Sequence, residues 1–327
     1  MGHHIDVICL GEALIDFVSL QSGVSLLEAQ EFRKAAGGAP ANVAVGLARL
    51  GVRAAFLGKV GDEPFGQFLK QTLDENGVDT AGLVLASGQR TGLAFVSLTA
   101  SGERDFVFFR HPSADMNHQP SEVPAHLFTG AGVFHYGSIT LIQEPARSAT
   151  LHALELARRA HLLISYDPNL RLNLWLSEEA ARQGLREGLS FANVVKVSEE
   201  ELAFITGVPE AYRAAAQILA GGAELVAVTR GARGCRYYTA AATGEVPGFP
   251  VQTVDTTGAG DGFVAGMLAG LLADWREGRR PSALDDRRLR EVFRHANAVG
   301  ALTTTVRGAI PALPSAEHVD KFLAGLR

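Results

Sequence analysis

Short apolar runs alternate with longer amphipathic ones along most of this chain. Val7 to Gly11 is an apolar, strand-like run ending in glycine. Ala41 to Leu50 reads as a helix stopped by Gly51, a residue that readily takes the left-handed cap conformation. Ala54 to Lys59 reads as a strand, and Pro64 to Asn76 as a helix with proline in its first turn and Gly77 beyond its end. Gly132 to Tyr136, Leu162 to Asp167, Val194 to Val197 and Leu225 to Thr229 are further short apolar strands, most of them separated by helical segments. Ala259 to Leu272 and Leu289 to Thr304 read as two long C-terminal helices. Strands that alternate with helices predict a parallel sheet covered on both faces.

Two segments break the rhythm. Phe17 to Arg33 is strand-like and polar. Gly92 to Arg110 reads as a hairpin whose arms, Leu93 to Leu98 and Asp105 to Arg110, flank the turn residues Ser101 and Gly102. An antiparallel excursion from an α/β sheet serves either as a cover over a site or as a plain sheet extension, and the pattern alone leaves both open.

Composition narrows the class. The chain has 327 residues, 47% hydrophobic and 20% charged, enough apolar material for a sizeable core. A net charge of -5 argues against broad nucleic-acid binding. The longest basic run, Arg287 to Arg290, sits beside Asp285, Asp286 and Glu291 and reads as a solvated helix face. Cys9 and Cys235 lie in apolar runs without metal-ligand spacing, as expected of reduced thiols in a cytoplasmic protein. No apolar run reaches transmembrane length, and the start of the chain carries no secretory pattern. His3 and His4, with no third ligand nearby in sequence, read as solvent-exposed.

The most informative stretch is Asp255-Thr256-Thr257-Gly258-Ala259-Gly260-Asp261-Gly262, which runs into an apolar helix. Glycines at a helix entrance leave backbone N–H groups uncovered, and the helix dipole favours an anion there. Asp261 in the first turn sets a carboxylate beside that anion hole. Such a carboxylate is unfavourable next to phosphate unless it takes a proton from an attacking hydroxyl. A plain glycine turn with an ordinary first-turn acid is the competing reading. Neither G-x-x-x-x-G-K-[ST] nor G-x-G-x-x-G after a strand occurs, which weakens a P-loop NTPase and a dehydrogenase.

A second glycine site, Gly37-Gly38-Ala39-Pro40-Ala41-Asn42, precedes another helix. Paired glycines admit a ligand close to the backbone, Asn42 offers donors and an acceptor, and Asp16 can accept two hydroxyl protons. A turn, a helix cap and a solvated side chain are the respective bland readings.

Together the two sites resemble the PfkB, or ribokinase-like, carbohydrate kinases. Gly37 to Ala44, followed by Gly51 and Gly61, matches the N-terminal signature of that family, and Asp255 to Asp261 its C-terminal one. Within the family the chain is most similar to fructokinases, through Phe109 to Met116, Tyr166 to Leu172, Val228 to Tyr238 and Gly308 to Pro314. The resemblance covers nearly the whole chain. It implies one ribokinase-like α/β domain over residues 1–327: a doubly wound sheet with helices on both faces and a small β-sheet lid from segments 12–35 and 90–112.

The resemblance also implies roles. Asp261 is the base, and Gly258, Ala259 and Gly260 form the anion hole. Asp16, Gly37, Gly38 and Asn42 hold sugar hydroxyls, with Arg110 and Arg171 near the sugar or the transferring phosphate; a lid salt bridge is the rival for Arg110. ATP lies along Ser198, Thr229, Gly231, Gly234 and Gly260, with Asn297 near the adenine. Glu201 organises water around Mg2+, although Ser198-x-x-Glu201 is also a capping box, with serine standing where the family often has asparagine. Many members bind K+ through an equivalent of Asp255 and carbonyls near Thr257, Thr303, Val306 and Gly308. Sugar and ATP are the expected partners, with no nucleic acid or membrane, and relatives often pair through the lid as homodimers. Rival readings are a 2-keto-3-deoxygluconate kinase, another sugar or nucleoside kinase, and a catalytically silent sugar-binding module.

Overall fold

The structure, a computed structural model, describes residues 4–21, 23–98 and 104–326; His3, Ser101 and Gly102 lie outside them. Thirteen strands are described: β1 (Val7–Leu10), β2 (Leu14–Ser19), β3 (Phe32–Gly37), β4 (Ala54–Gly61), β5 (Asp79–Ala86), β6 (Leu93–Leu98), β7 (Arg104–Phe109), β8 (Val133–Gly137), β9 (Leu163–Asp167), β10 (Val194–Ser198), β11 (Leu225–Thr229), β12 (Cys235–Tyr238) and β13 (Thr243–Val246). Nine form one sheet in the order β13-β12-β11-β10-β9-β8-β1-β4-β5. From β5 to β11 all neighbours are parallel; β12 and β13 add an antiparallel edge.

The helices are α1 (Ala39–Arg49), α2 (Pro64–Glu75), α3 (Ala146–Arg159), α4 (Glu178–Leu189), α5 (Glu199–Thr206), α6 (Ala211–Ala220), α7 (Ala259–Arg276), α8 (Asp286–Thr303) and α9 (Ala316–Ala324). Alternate strand residues feed two cores, as the two-residue period of a strand requires. Val7, Cys9, Phe56 and Leu225 pack with α1, α2, α7 and α8 on one face. Ile8, Leu10, Leu57 and Val226 pack with α3 to α6 on the other. Cys9 and Cys235 are free, buried thiols on the same face. The predicted layout of a sheet covered on both sides is what forms.

β1 is the switch point, with β4 on one side and β8 on the other. In open α/β sheets ligands collect outside the carboxyl ends of strands at such a point. Glu12, Asp167 and Ser198 all stand at those ends.

The two irregular segments pair with each other in a second sheet of order β3-β2-β6-β7. Only the flanks of the 17–33 stretch are strand; its middle is turn and loop, because polar residues and Gly23 (φ 78°) interrupt it. The second hairpin arm ends at Phe109, one residue before its expected end, and Arg110 is buried just beyond. Other boundaries shift by a few residues: α1 begins at Ala39, α7 continues to Arg276 and α8 starts at Asp286. Stacking of Phe17 on Phe95 at 5.0 Å binds the small sheet internally, and Phe17 meets Phe65 of α2 edge-on at 5.8 Å.

Candidate active site

Two helices start at the site, and their contact sets its geometry. α1 and α7 cross where a Cβ on Gly46 would come within 2.7 Å of Ala265 Cβ. One turn back from each lie Asn42 and Asp261, on the same faces. The close crossing therefore brings them together: Asn42 Nδ2 donates to Asp261 Oδ2 at 2.8 Å, across 219 residues of sequence. Asn42 thus does not cap α1; that position belongs to Gly38, at φ 109°, where a Cβ would strike the Glu12 carbonyl at 2.2 Å.

Gly258 caps α7 in the left-handed conformation at φ 78°. Asp261, three residues on, is buried, with 9% of its surface exposed. Burial raises its pKa to about 6, helped by the Asp167 charge and opposed by the Asn42 bond, Lys196 and Arg171. Lys196 Nζ, from the middle of β10, lies 3.0 Å from Oδ2 of Asp167, the last residue of the neighbouring β9. Burial works against the ammonium, but Asp167, Glu201 and Asp261 outweigh it and push it up to about 12.

At the second glycine site, a Cβ on Gly37 would overlap the Asp16 carboxylate, so glycine admits that side chain. Asp16, Ser19 and Gln21 of the small-sheet side face Asp255, Thr257 and Arg307 across a cleft of about 80 Å³. Asp255 ties its wall together: Oδ1 accepts Thr257 N and Oγ1 at 2.9 and 2.7 Å, and Oδ2 accepts Gly308 N at 2.9 Å. A Cβ on Gly258 would lie 2.9 Å from Ala309, so the glycine turn before α7 leans on the same loop. Thr303 is buried, its hydroxyl donating to Val299, while Val306 is exposed. Among the described residues no group of three or more His, Cys, Asp and Glu is arranged to hold a metal ion.

Arg110 is buried, not on a surface; its Nε and Nη2 both donate to Asp115 Oδ2, the former at 3.0 Å. Arg171 is half-buried, with Nη1 on the Leu170 carbonyl at 3.1 Å. Ser198 and Thr229 are register neighbours at strand ends. Gly231 (φ 57°) and Gly234 (φ 87°) shape the turn from β11 to β12. Asn297 is buried rather than facing solvent. Its amide donates to the Val246 and Pro247 carbonyls at 3.1 Å, and a Cβ on Gly234 would strike that same segment. The Ser198–Glu201 capping box forms, with both Glu201 oxygens on backbone amides, Leu170 N and Ser198 N, each at 2.8 Å.

Among the buried charges that the sequence reading did not single out are Glu12, Asp115, Asp167 and Lys196. Glu12 accepts Ala39 N at 3.0 Å, its other oxygen is buried without a hydrogen-bond partner, and burial pushes its pKa up to about 7. The available signal was a charged residue inside or ending an apolar strand run, as in Val194-Val195-Lys196-Val197.

A carboxylate at the glycine-built mouth of a helix, beside a buried cation near the carboxyl ends of the parallel strands, is an arrangement suited to phosphoryl transfer. Residues 4–316 match the model of the pfkB family carbohydrate kinases. The chain belongs to that family and is a carbohydrate kinase, transferring phosphate to a hydroxyl. It is 50% identical over 324 residues to "Probable fructokinase-7" of Arabidopsis thaliana, covering 98% of this chain and 93% of that one. Fructokinase of Xylella fastidiosa, solved with bound ATP, superposes with a TM-score of 0.90 at 37% identity, covering 98% of both chains. A double mutant of fructokinase from Vibrio cholerae O395, with fructose, ADP and potassium bound, gives 0.87 at 37%, again covering 98% of both.

Proposed function

We propose that the protein is an ATP-dependent fructokinase that converts ATP and D-fructose to ADP and D-fructose 6-phosphate. The observation that carries this reading is the Asn42–Asp261 bond at 2.8 Å, which joins the two glycine sites into one. Fructose lies under the small sheet, which acts as a lid, against Asp16, Gly37, Gly38 and Asn42. Asp261 takes the proton of the 6-hydroxyl as its oxygen attacks the γ-phosphorus, and the bond to the ADP oxygen breaks. The amides of Gly258 and Gly260, with that of Ala259 released from its 3.3 Å bond to the Thr256 carbonyl, hold the charge that gathers on the transferring group. ATP runs from there past Ser198 and Thr229 toward Gly231, Gly234 and Asn297.

Mg2+ comes with the nucleotide and offsets phosphate charge. Glu201 has both oxygens on amides, which fits a hold through water. The Asp255 loop, with carbonyls of Thr257, Thr303, Val306 and Gly308, fits K+, the ion in the Vibrio cholerae relative. The buried thiols suit a cytoplasmic setting, and exposed Val107 and Phe109 suit pairing of two copies through the lid. For a sugar acid, Arg110 would be the natural carboxylate partner. Its engagement with Asp115 favours a neutral ketose over 2-keto-3-deoxygluconate.

Purified protein with ATP and Mg2+ is to be assayed against fructose, 2-keto-3-deoxygluconate, ribose and adenosine. The expected result is the highest kcat/KM on fructose. Turnover of another member in its place, or sugar binding without ATP consumption, would reject the reading.

A further inference from the structure

We propose that Lys196, aimed by Asp167, is a ligand of the γ-phosphoryl group during transfer; the proposal rests on the kinase reading of the same site. An ammonium carries three donors. One goes to Asp167 Oδ2 at 3.0 Å, and among the described residues no second acceptor is bonded to Nζ. A Cβ built on Gly260 would lie 3.2 Å from Nζ, so the ammonium rests against the turn whose amides face the anion. This gives Gly260 a second reason to be glycine: a side chain there would crowd the cation off the turn.

Charge balance points the same way. The phosphoryl group arrives next to Asp261 and Asp167, two carboxylates in a desolvated setting. Lys196 is the buried cation facing both, with Glu201 and the neutral His135 as its other titratable neighbours. Arg171 is the further cation that acts on Asp261.

The test uses the full chain and has a readout that does not need sugar turnover. Affinities for ATP and ADP are measured on wild type, Lys196→Met and the double variant Lys196→Met/Asp167→Asn. The double variant replaces the ion pair by neutral groups and keeps the test open should the single variant fail to fold. The expected result is a preference for ATP over ADP that falls at least tenfold, with kcat down about 10²- to 10³-fold, as for loss of one donor to transition-state charge. A second expectation follows from the opposed effects on Asp261. Lys196→Met moves the acid limb of the kcat/KM profile to higher pH, and Asp167→Asn moves it lower. An ATP-to-ADP preference equal to wild type in the folded variants overturns the proposal. Failure of wild type to phosphorylate fructose is a separate result, bearing on the substrate and not on Lys196.

Discussion

At the scale of single residues, the site depends on a carboxylate kept in an uncomfortable place. Desolvation raises Asp261 to about 6, so the ionised form needed to accept a proton is lost as pH falls through that value. The acid limb of kcat/KM is expected near pH 6 and absent from sugar binding alone. The same shift has a sign for stability. The folded state holds its proton up to about 6 and the unfolded state only to 3.8, so stability declines as pH rises between them. Above that window the cost persists, with an upper bound of about 3 kcal/mol from a two-unit shift. Asp261→Asn keeps an acceptor for Asn42 and removes the charge. It should all but abolish turnover, leave the sugar Kd within a few-fold, and raise Tm at pH 7 relative to wild type. Full activity in this variant would remove Asp261 from the base role, and a lower Tm would contradict the burial argument.

At the scale of elements, legibility followed periodicity. The parallel layout, α2 with its proline start and the 93–98 arm could be read because alternation and helical spacing are local properties. Both glycine motifs could be read because a glycine before a helix has a local meaning. Glu12, Asp167 and Lys196 could not, since a buried charge gains its value from partners on other strands. Nor did the sequence reveal that Gly46, an unremarked helix residue, controls the site. Its lack of a side chain lets α1 lie against Ala265 of α7 and so sets Asn42 on Asp261. Gly46→Val introduces bulk where 2.7 Å is available and should cost about 1–3 kcal/mol by overpacking. Denaturant unfolding and kcat measured together test this. The expected kcat loss exceeds that of an equally destabilising change elsewhere in α1, because here the strain falls on the Asn42–Asp261 bond. A milder local device is the Ser198 cap of α5: Ser198→Ala should cost about 0.5–2 kcal/mol.

At the scale of the whole molecule, the question is how the small sheet delivers Asp16 to a cleft whose other wall is the Asp255 loop. β2 leaves the large sheet right after β1, through the turn that also holds Glu12. Asp16 and Phe17 are successive on that strand and point to opposite faces. Asp16 reaches the cleft with Thr257 and Arg307, and Phe17 reaches Phe65 on α2 while stacking on Phe95. Phe17 is thus both a ring in the small sheet and a tie from that sheet to the body. Phe17→Ala removes two aromatic pairs, each worth about 0.5–1.5 kcal/mol. The loss falls mainly on the seating of the small sheet, because Phe17 packs at the margin of the core that Ile15 and Ala36 of that sheet enter. The expected outcome is a KM for fructose raised several-fold, a KM for ATP close to wild type, and a modest drop in Tm. Equal rises in both KM values would mean that the small sheet governs the whole active site, while an unchanged fructose KM would mean that Asp16 is held without help from its neighbour.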